Sequence, residues 1–453
     1  MSRRAGRQRK RDDSNDDSNA GLSTAGKVAL GVAAAAAGAA IGYLGSRLMS
    51  TWLAAETDDE KETKCKASGD DDSKYNESRP AASKDDLTTD RKAPQSTASD
   101  VTSSKQADTV QLSLHEQLSH YYQQYVVIPL DKIHGVQKVV DDVTAVVRSR
   151  LRDPNSFKGV PLKIGDLVSF GSATEGLQVI RPDCYDVMIP VMLGSQCHTR
   201  EAVVAGRKVA GRFVIVADND GTCDERNACC DEDGRLVRGK LVDVLRVVIE
   251  MATSALPDHD CVIQPASHAA TAITLTVNIN SYDRVSVNFV PFIIASSHLY
   301  LPVASPSWCS GETDNIASLW MESYIRQEKW SIDRFDPSVC GHLIVLRILK
   351  SIRLNHREQF GAISSYHLKL LLFHVLEDLP DSADWQRNAV GERLIDLLTK
   401  LVEVLHEHGM PHYFEQDVNT LEDVPTETCQ NLAKFLEKKL AHNDIASLLK
   451  RDY

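Results

Sequence analysis

The chain has 453 residues, with 51 Lys plus Arg against 63 Asp plus Glu and a net charge of −12. That length exceeds one small core and predicts one large or two fused globular units with tails. The acidic balance excludes a general nucleic-acid binder, which must neutralise phosphates, and leaves room only for a local basic pocket.

Residues 1–26 form a tail that is basic first (Arg3, Arg4, Arg7, Arg9, Lys10, Arg11) and acidic from Asp12 to Asp17. Residues 27–50 read as a membrane anchor. Val28 to Leu44 carries no charge and is built of Ala, Gly, Val, Leu and Ile, with Arg47 and Trp52 closing it. With its flanks it approaches the ~20 residues that span a bilayer. Three membrane readings stand side by side: a cleaved secretory signal, a signal anchor, and a weakly hydrophobic anchor with basic flanks suited to the mitochondrial outer membrane. A water-soluble Ala-rich helix is the fourth, and the lack of a polar face argues against it. Residues 51–110 are rich in Asp, Ser, Thr and Lys and predict a disordered tether, too poor in apolar surface to fold. They include Asn76-Glu77-Ser78, a formal glycosylation acceptor. No internal repeat is apparent.

Order is expected from about residue 111, and an α+β, bilobal unit follows. Leu112, Leu114, Leu118, Tyr121 and Tyr122 predict a helix that ends before Pro129. Val136, Val139, Val140, Val143, Val146, Val147 and Leu151 predict an amphipathic helix with a core face. Leu167 to Phe170 leads into Gly171-Ser172. Strands are expected at Tyr185–Met192, Arg212–Ala217, Ala272–Ile279 and Val285–Phe292, the last two joined by the turn Asn280-Ser281-Tyr282-Asp283. Cysteines number ten and show no paired CxxC units, so a structural zinc site is not expected. Cys223 with Cys229-Cys230 is a weak metal grouping; reduced thiols in an acidic loop (Asp218, Asp220, Asp224, Asp231, Asp233) is the competing reading. From Asp314 the pattern is helical: around Leu343–Ile352, His367–Leu376, Leu394–His406 and Cys429–Leu440. The expected division is a first lobe at 111–313 and a helical lobe at 314–453, with a ligand cleft between them.

The chemistry concentrates on Gly171-Ser172 and Asp183-Cys184-Tyr185-Asp186. Two-metal phosphoryl transfer uses two acids alternating on one strand, which face the cleft together, and a third from a neighbouring strand. Here those positions read Cys184, Asp186 and Asn288. One acid of three cannot offset two divalent charges, so no catalytic residue and no metal ligand is assigned. Asp186 reads equally as a hydrogen-bonded strand residue. Ser172 with nearby backbone N–H groups suits a phosphate. Arg347, Lys350, Arg353 and Lys369 are either phosphate partners or solvated helix faces.

The strand motif, with Ser365-Tyr366-His367-Leu368-Lys369 and Trp385, resembles the cyclic GMP-AMP synthase and male-abnormal-type nucleotidyltransferase superfamily. One branch is similar along most of the chain: the mitochondrial dynamics proteins, or mitochondrial elongation factors. The similarity rests on the order and spacing of several segments. They are Val28-Ala29-Leu30-Gly31-Val32, Leu112-Ser113-Leu114-His115-Glu116-Gln117-Leu118, Tyr121-Tyr122, Ile128-Pro129, Gly171-Ser172 and Leu177-Gln178-Val179. Ile189-Pro190-Val191, Val262-Ile263-Gln264-Pro265-Ala266, Phe289-Val290-Pro291 and Leu346-Arg347-Ile348-Leu349-Lys350 complete the set.

The resemblance implies a single-pass protein of the mitochondrial outer membrane with its globular domain in the cytosol. It implies a non-catalytic adaptor that recruits a dynamin-related fission GTPase, is compatible with a homodimer, and requires no cofactor. One vertebrate member binds ADP or GDP in the cleft and a close relative does not. The candidate nucleotide-site positions are Ser172, Cys184, Asp186, His342, Arg347 and Lys369, of which the resemblance carries over Ser172, Cys184, His342 and Lys369. Two depart from the family: Cys184 stands where the nucleotide binder has histidine, and His342 where it has arginine. The family's docking loop corresponds to about 218–238, which is acidic and Cys-rich here, and Pro411-His412-Tyr413-Phe414 is closer to the wider superfamily. A nucleotide sensor or synthase of the same fold, and a secretory-membrane member similar to inositol-trisphosphate-receptor-interacting proteins, are the alternatives.

Overall fold

Ser113 starts the first helix, α1 (Leu114–Tyr121), with a capping box. Its hydroxyl accepts the Glu116 N–H, and the Glu116 carboxylate accepts the Ser113 N–H at 2.8 Å. The computed structural model describes residues 112–157, 160, 162–193, 197–204, 206–217, 228–256, 260–264, 271–280, 283–295, 298–303 and 316–450. The expected tail, anchor and tether lie outside the described residues, as do Cys223 and residues 218–227 of the acidic loop. No helix among the described residues is long and apolar enough to cross a membrane.

A five-residue π-helical turn, Tyr122–Val126, follows α1. The valine-rich segment forms α2 (Leu130–Arg152), burying Val140, Val143, Val147 and Leu151. That is the face its helical spacing predicts. Next come β1 (Leu162–Ile164), β2 (Val168–Phe170), β3 (Cys184–Leu193), β4 (Cys197–Val204) and β5 (Arg207–Ala217). After α3 (Arg238–Thr253) come β6 (Asp260–Ile263), β7 (Ile273–Asn278), β8 (Arg284–Ala295), β9 (His298–Pro302) and β10 (Leu319–Glu322). These strands make one mixed sheet with the path β1-β3-β8-β9-β10-β5-β4; β2 also pairs with β3, and β6 with β7, which joins β8. β3 and β8 are parallel, with Cys184 opposite Ser286 and Asp186 opposite Asn288. The other pairings are antiparallel.

Alternation along the strands fixes which face is dry. Tyr185, Val187, Ile189 and Val191 of β3 join Val285, Val287 and Phe289 of β8 in one core with α2 and α3. Side chains two apart share a face, so Cys184, Asp186 and Asn288 look the other way.

The second core is helical. It is built by α4 (Ile325–Ile332), α5 (His342–Asn355), α6 (Arg357–Phe360), α7 (Ser365–Asp378), α8 (Val390–Glu407) and α9 (Thr426–Ala441). Leu118, Tyr121, Val126, Leu177 and Val179 also pack into it. The N-terminal helix therefore belongs to the helical core despite preceding the sheet. Tyr121 hydroxyl meets Ser351 Oγ at 2.7 Å and accepts Asn355 Nδ2 at 2.8 Å, which fastens α1 to α5.

Two strand regions differ from the helical expectation after Asp314. β10 joins the main sheet between β9 and β5. Four residues are too few for an alternating pattern to register; burial of Leu319 and Trp320 holds them, with Trp320 Nε1 donating to Leu236 O at 3.2 Å. A hairpin of β11 (Pro411–His412) and β12 (Glu415–Asn419) follows α8. It sits against β5 at Gly211, where a Cβ would lie 2.5 Å from Val418 Cγ2.

Candidate functional site

The floor of the candidate site is made where β3 and β8 run side by side. Asn288 Nδ2 donates to Asp186 Oδ1 at 2.8 Å and lies 3.3 Å from Cys184 Sγ. Its carbonyl oxygen accepts Thr274 Oγ1 at 2.9 Å from β7. The three positions read from the sequence as a metal set are therefore adjacent, and an amide ties the lone carboxylate to the thiol. Burial raises the Asp186 pKa, against the lowering pull of the Asn288 hydrogen bond and of Lys350. Burial, then the charges of Asp186 and Asp183, push the Cys184 thiol up to about 11, so it is neutral at pH 7.

Gly171 must be glycine for two reasons. Its φ of +76° disfavours a side chain, and a Cβ would lie 2.7 Å from Asp186 Oδ2. This close approach sets the turn that follows β2 directly over Asp186. Within the turn Glu175 N–H donates to Gly171 O at 3.0 Å, and Leu177 N–H to Ser172 O at 2.8 Å. Ser172 is half-buried.

The helical lobe reaches this turn with two lysines. Ser364 caps α7 through a second capping box with His367, which fixes the start of the helix and the phase of Tyr366 and Lys369. Lys369 Nζ donates to Glu175 Oε1 at 2.7 Å and to Glu328 Oε2 of α4 at 2.8 Å. All three side chains are buried, at 10, 9 and 7 % exposure for Lys369, Glu175 and Glu328. Tyr366 hydroxyl donates to Glu328 Oε1 at 2.9 Å and also meets His412 Nε2 at 3.0 Å. Lys350 Nζ donates to Leu177 O at 2.5 Å. Burial lowers the Lys350 pKa to about 8, with Lys369, Arg347 and Arg353 adding to the fall and Glu175 opposing it.

The candidate residues thus divide. Asp186 and Cys184 share the floor, the Gly171-Ser172 turn lies over it, and Lys369 reaches that turn through Glu175. Arg347 turns to the α1 side instead: Nη1 donates to Tyr122 hydroxyl at 2.6 Å, with the guanidinium over the same ring. His342 is enclosed in the helical core, where Nε2–H donates to Ile332 O at 3.0 Å and the ring meets Phe335 edge-on. Burial lowers its pKa, so it is a neutral core histidine.

The candidates read from the sequence lacked Glu175 and Glu328; Lys350 was among the basic residues weighed as phosphate partners, and its Nζ is engaged by Leu177 O. The signal for Glu175 was its place three residues after Ser172, but its partner lies 194 residues away. One carboxylate, an amide and a neutral thiol do not fit a pair of divalent cations. Cys229 and Cys230 are buried, and no group of three or more His, Cys, Asp or Glu is arranged for a metal ion among the described residues.

Comparison with known protein families matches residues 343–438 to the Mab-21 protein HhH/H2TH-like domain. The match begins at the second residue of α5 and ends within α9. The helical lobe and the mixed sheet that precedes it fit a nucleotidyltransferase-like fold of the cyclic GMP-AMP synthase and Mab-21 superfamily.

Proposed function

We propose that the chain is a non-catalytic adaptor of the mitochondrial outer membrane that recruits a dynamin-related GTPase, with an inherited cleft for a nucleoside diphosphate. The observation that carries the non-catalytic part is the Asp186–Asn288–Cys184 cluster. Two-metal transfer needs carboxylates that bring two cations to one phosphate, and here the acid's neighbours on both strands are neutral. The membrane and partner parts rest on the sequence: the uncharged 27–50 segment, the polar tether at 51–110, and the resemblance to mitochondrial dynamics proteins.

Imaging a tagged full chain tests the adaptor role. Localisation at the mitochondrial outline, with a change in mitochondrial shape and in recruited GTPase on overexpression, is the expected result. A reticular or diffuse pattern with unchanged mitochondria refutes it. Glycosylation at Asn76 would instead favour the secretory-membrane reading. For the synthase reading, purified chain is incubated with ATP, GTP and Mg²⁺; any cyclic or linear oligonucleotide product sinks the non-catalytic assignment.

A further inference from the structure

We propose that Glu175 is an internal stand-in for a phosphate: its carboxylate occupies Lys369 and so holds the cleft in a self-satisfied, low-affinity state that a nucleoside diphosphate must displace. This inference rests on reading the cleft as a nucleotide site, and is independent of the adaptor role.

Three observations carry it. First, Lys369 is the helical-lobe cation that reaches the Gly171-Ser172 turn, and what it finds there is Glu175 at 2.7 Å. An ammonium has three N–H donors; Glu175 and Glu328 take two of them. Second, Lys350 is committed to the same turn through Leu177 O. Both lysines therefore hold the turn itself. Third, the cluster is charged beyond what Lys369 needs. Glu328 alone balances that lysine, and Glu175 brings a second carboxylate. A phosphate entering beside Ser172 would meet the Glu175 charge in a buried site, where like-charge contact is costly. The same excess makes Glu175 removable, because Lys369 keeps Glu328 and no buried cation is stranded.

The test is isothermal titration of ADP into the full chain, wild type and Glu175→Gln, at one salt concentration. Glu175→Gln is expected to bind ADP at least about tenfold more tightly, as removal of a buried like charge requires. Adding Lys369→Met to Glu175→Gln should erase the gain. Glu201→Gln, which removes an acid from an exposed pair with Lys208, should leave affinity unchanged, separating this contact from the effect of net charge. Should the Gln variant fail to give a cooperative melt, Glu175→Ala also removes the charge and should tighten ADP in the same direction. A folded Glu175→Gln that binds ADP no better than wild type, or not at all, overturns the proposal and leaves Glu175 as a purely structural latch. GTPase recruitment is scored separately, so the two readings fail independently.

Discussion

Replacing Asn288 by Asp is the sharpest test of how the cleft floor is held. The amide donates at 2.8 Å to Asp186 and also faces Cys184. Asn288→Asp deletes a hydrogen bond to a charged acceptor, a loss of about 1.5–3 kcal/mol. It also sets two carboxylates side by side on paired strands, where repulsion at ~4 Å is about 4 kcal/mol for an effective dielectric near 20. The pair can escape by keeping one proton. Holding a carboxyl protonated at pH 7 costs about 4 kcal/mol, at ~1.4 kcal/mol per pH unit above its ordinary range. Both routes cost about 4 kcal/mol, and the shared proton on the second replaces the lost hydrogen bond, so a destabilisation of about 4 kcal/mol at pH 7 is expected. The sign follows from linkage. The folded variant binds a proton that the unfolded chain has released, so its stability falls as pH rises from 5 to 7 and recovers on acidification. Urea denaturation of both proteins at pH 5, 6 and 7 measures this. Millimolar Mn²⁺ should recover stability in the variant, where two acids now face each other, and leave the wild type unchanged. A variant within about 0.5 kcal/mol of wild type at pH 7 without metal would refute the account of the floor.

Three further outcomes follow from the same geometry. Asp186→Asn should be neutral or stabilising near pH 7, because burial raises the Asp186 pKa and charging it costs folding energy; the advantage should vanish as pH falls through the carboxylate range, and a pH-independent loss in urea melts would contradict this. Lys350→Met isolates a lysine whose folded pKa is lowered to about 8 from its ordinary value near 10.5. The unfolded state binds more protons between those values, so wild-type stability should rise relative to the variant from pH 8 to 10, by up to ~3 kcal/mol, and a flat difference would refute the burial argument. Lys369→Met strands two buried carboxylates and should cost about 3–5 kcal/mol in a chemical melt, with part of the loss restored by adding Glu175→Gln.

Much of the floor was legible in the sequence because it obeys short-range rules. Asp186 and Cys184 are two apart on a strand, and the hydrophobic alternation of β8 put Asn288 in phase with them. The helical lobe was equally readable: the apolar spacing placed helices around Leu343–Ile352, His367–Leu376, Leu394–His406 and Cys429–Leu440, where α5, α7, α8 and α9 lie. What escaped was set by tertiary contact. Glu175 looks like a surface acid in a turn until α7 arrives with Lys369. His342 and Arg347 looked like cleft residues by position, yet burial and the Tyr122 ring claim them. β10 was invisible because four residues carry no period, and α1 looked like part of the first lobe because chain order does not say which core a helix joins.

If the site is non-catalytic, as proposed, these contacts decide what a transferase would need there. Acids placed at 184 and 288 would supply metal ligands, but they would do nothing for the other half of the reaction. A triphosphate also needs cations, and the two lysines that reach the turn are spent on Glu175, Glu328 and Leu177 O. Counting only the buried groups around the turn, Asp186, Glu175 and Glu328 already outnumber Lys350 and Lys369 by one charge. Two more carboxylates widen that excess before any substrate arrives. A Cys184→Asp, Asn288→Asp double variant is therefore expected to bind Mn²⁺, seen as metal-dependent stabilisation, yet to form no oligonucleotide from ATP and GTP. Product from that variant would show that the lysines release Glu175 readily, and would count against the idea that the cleft is held shut by its own carboxylate.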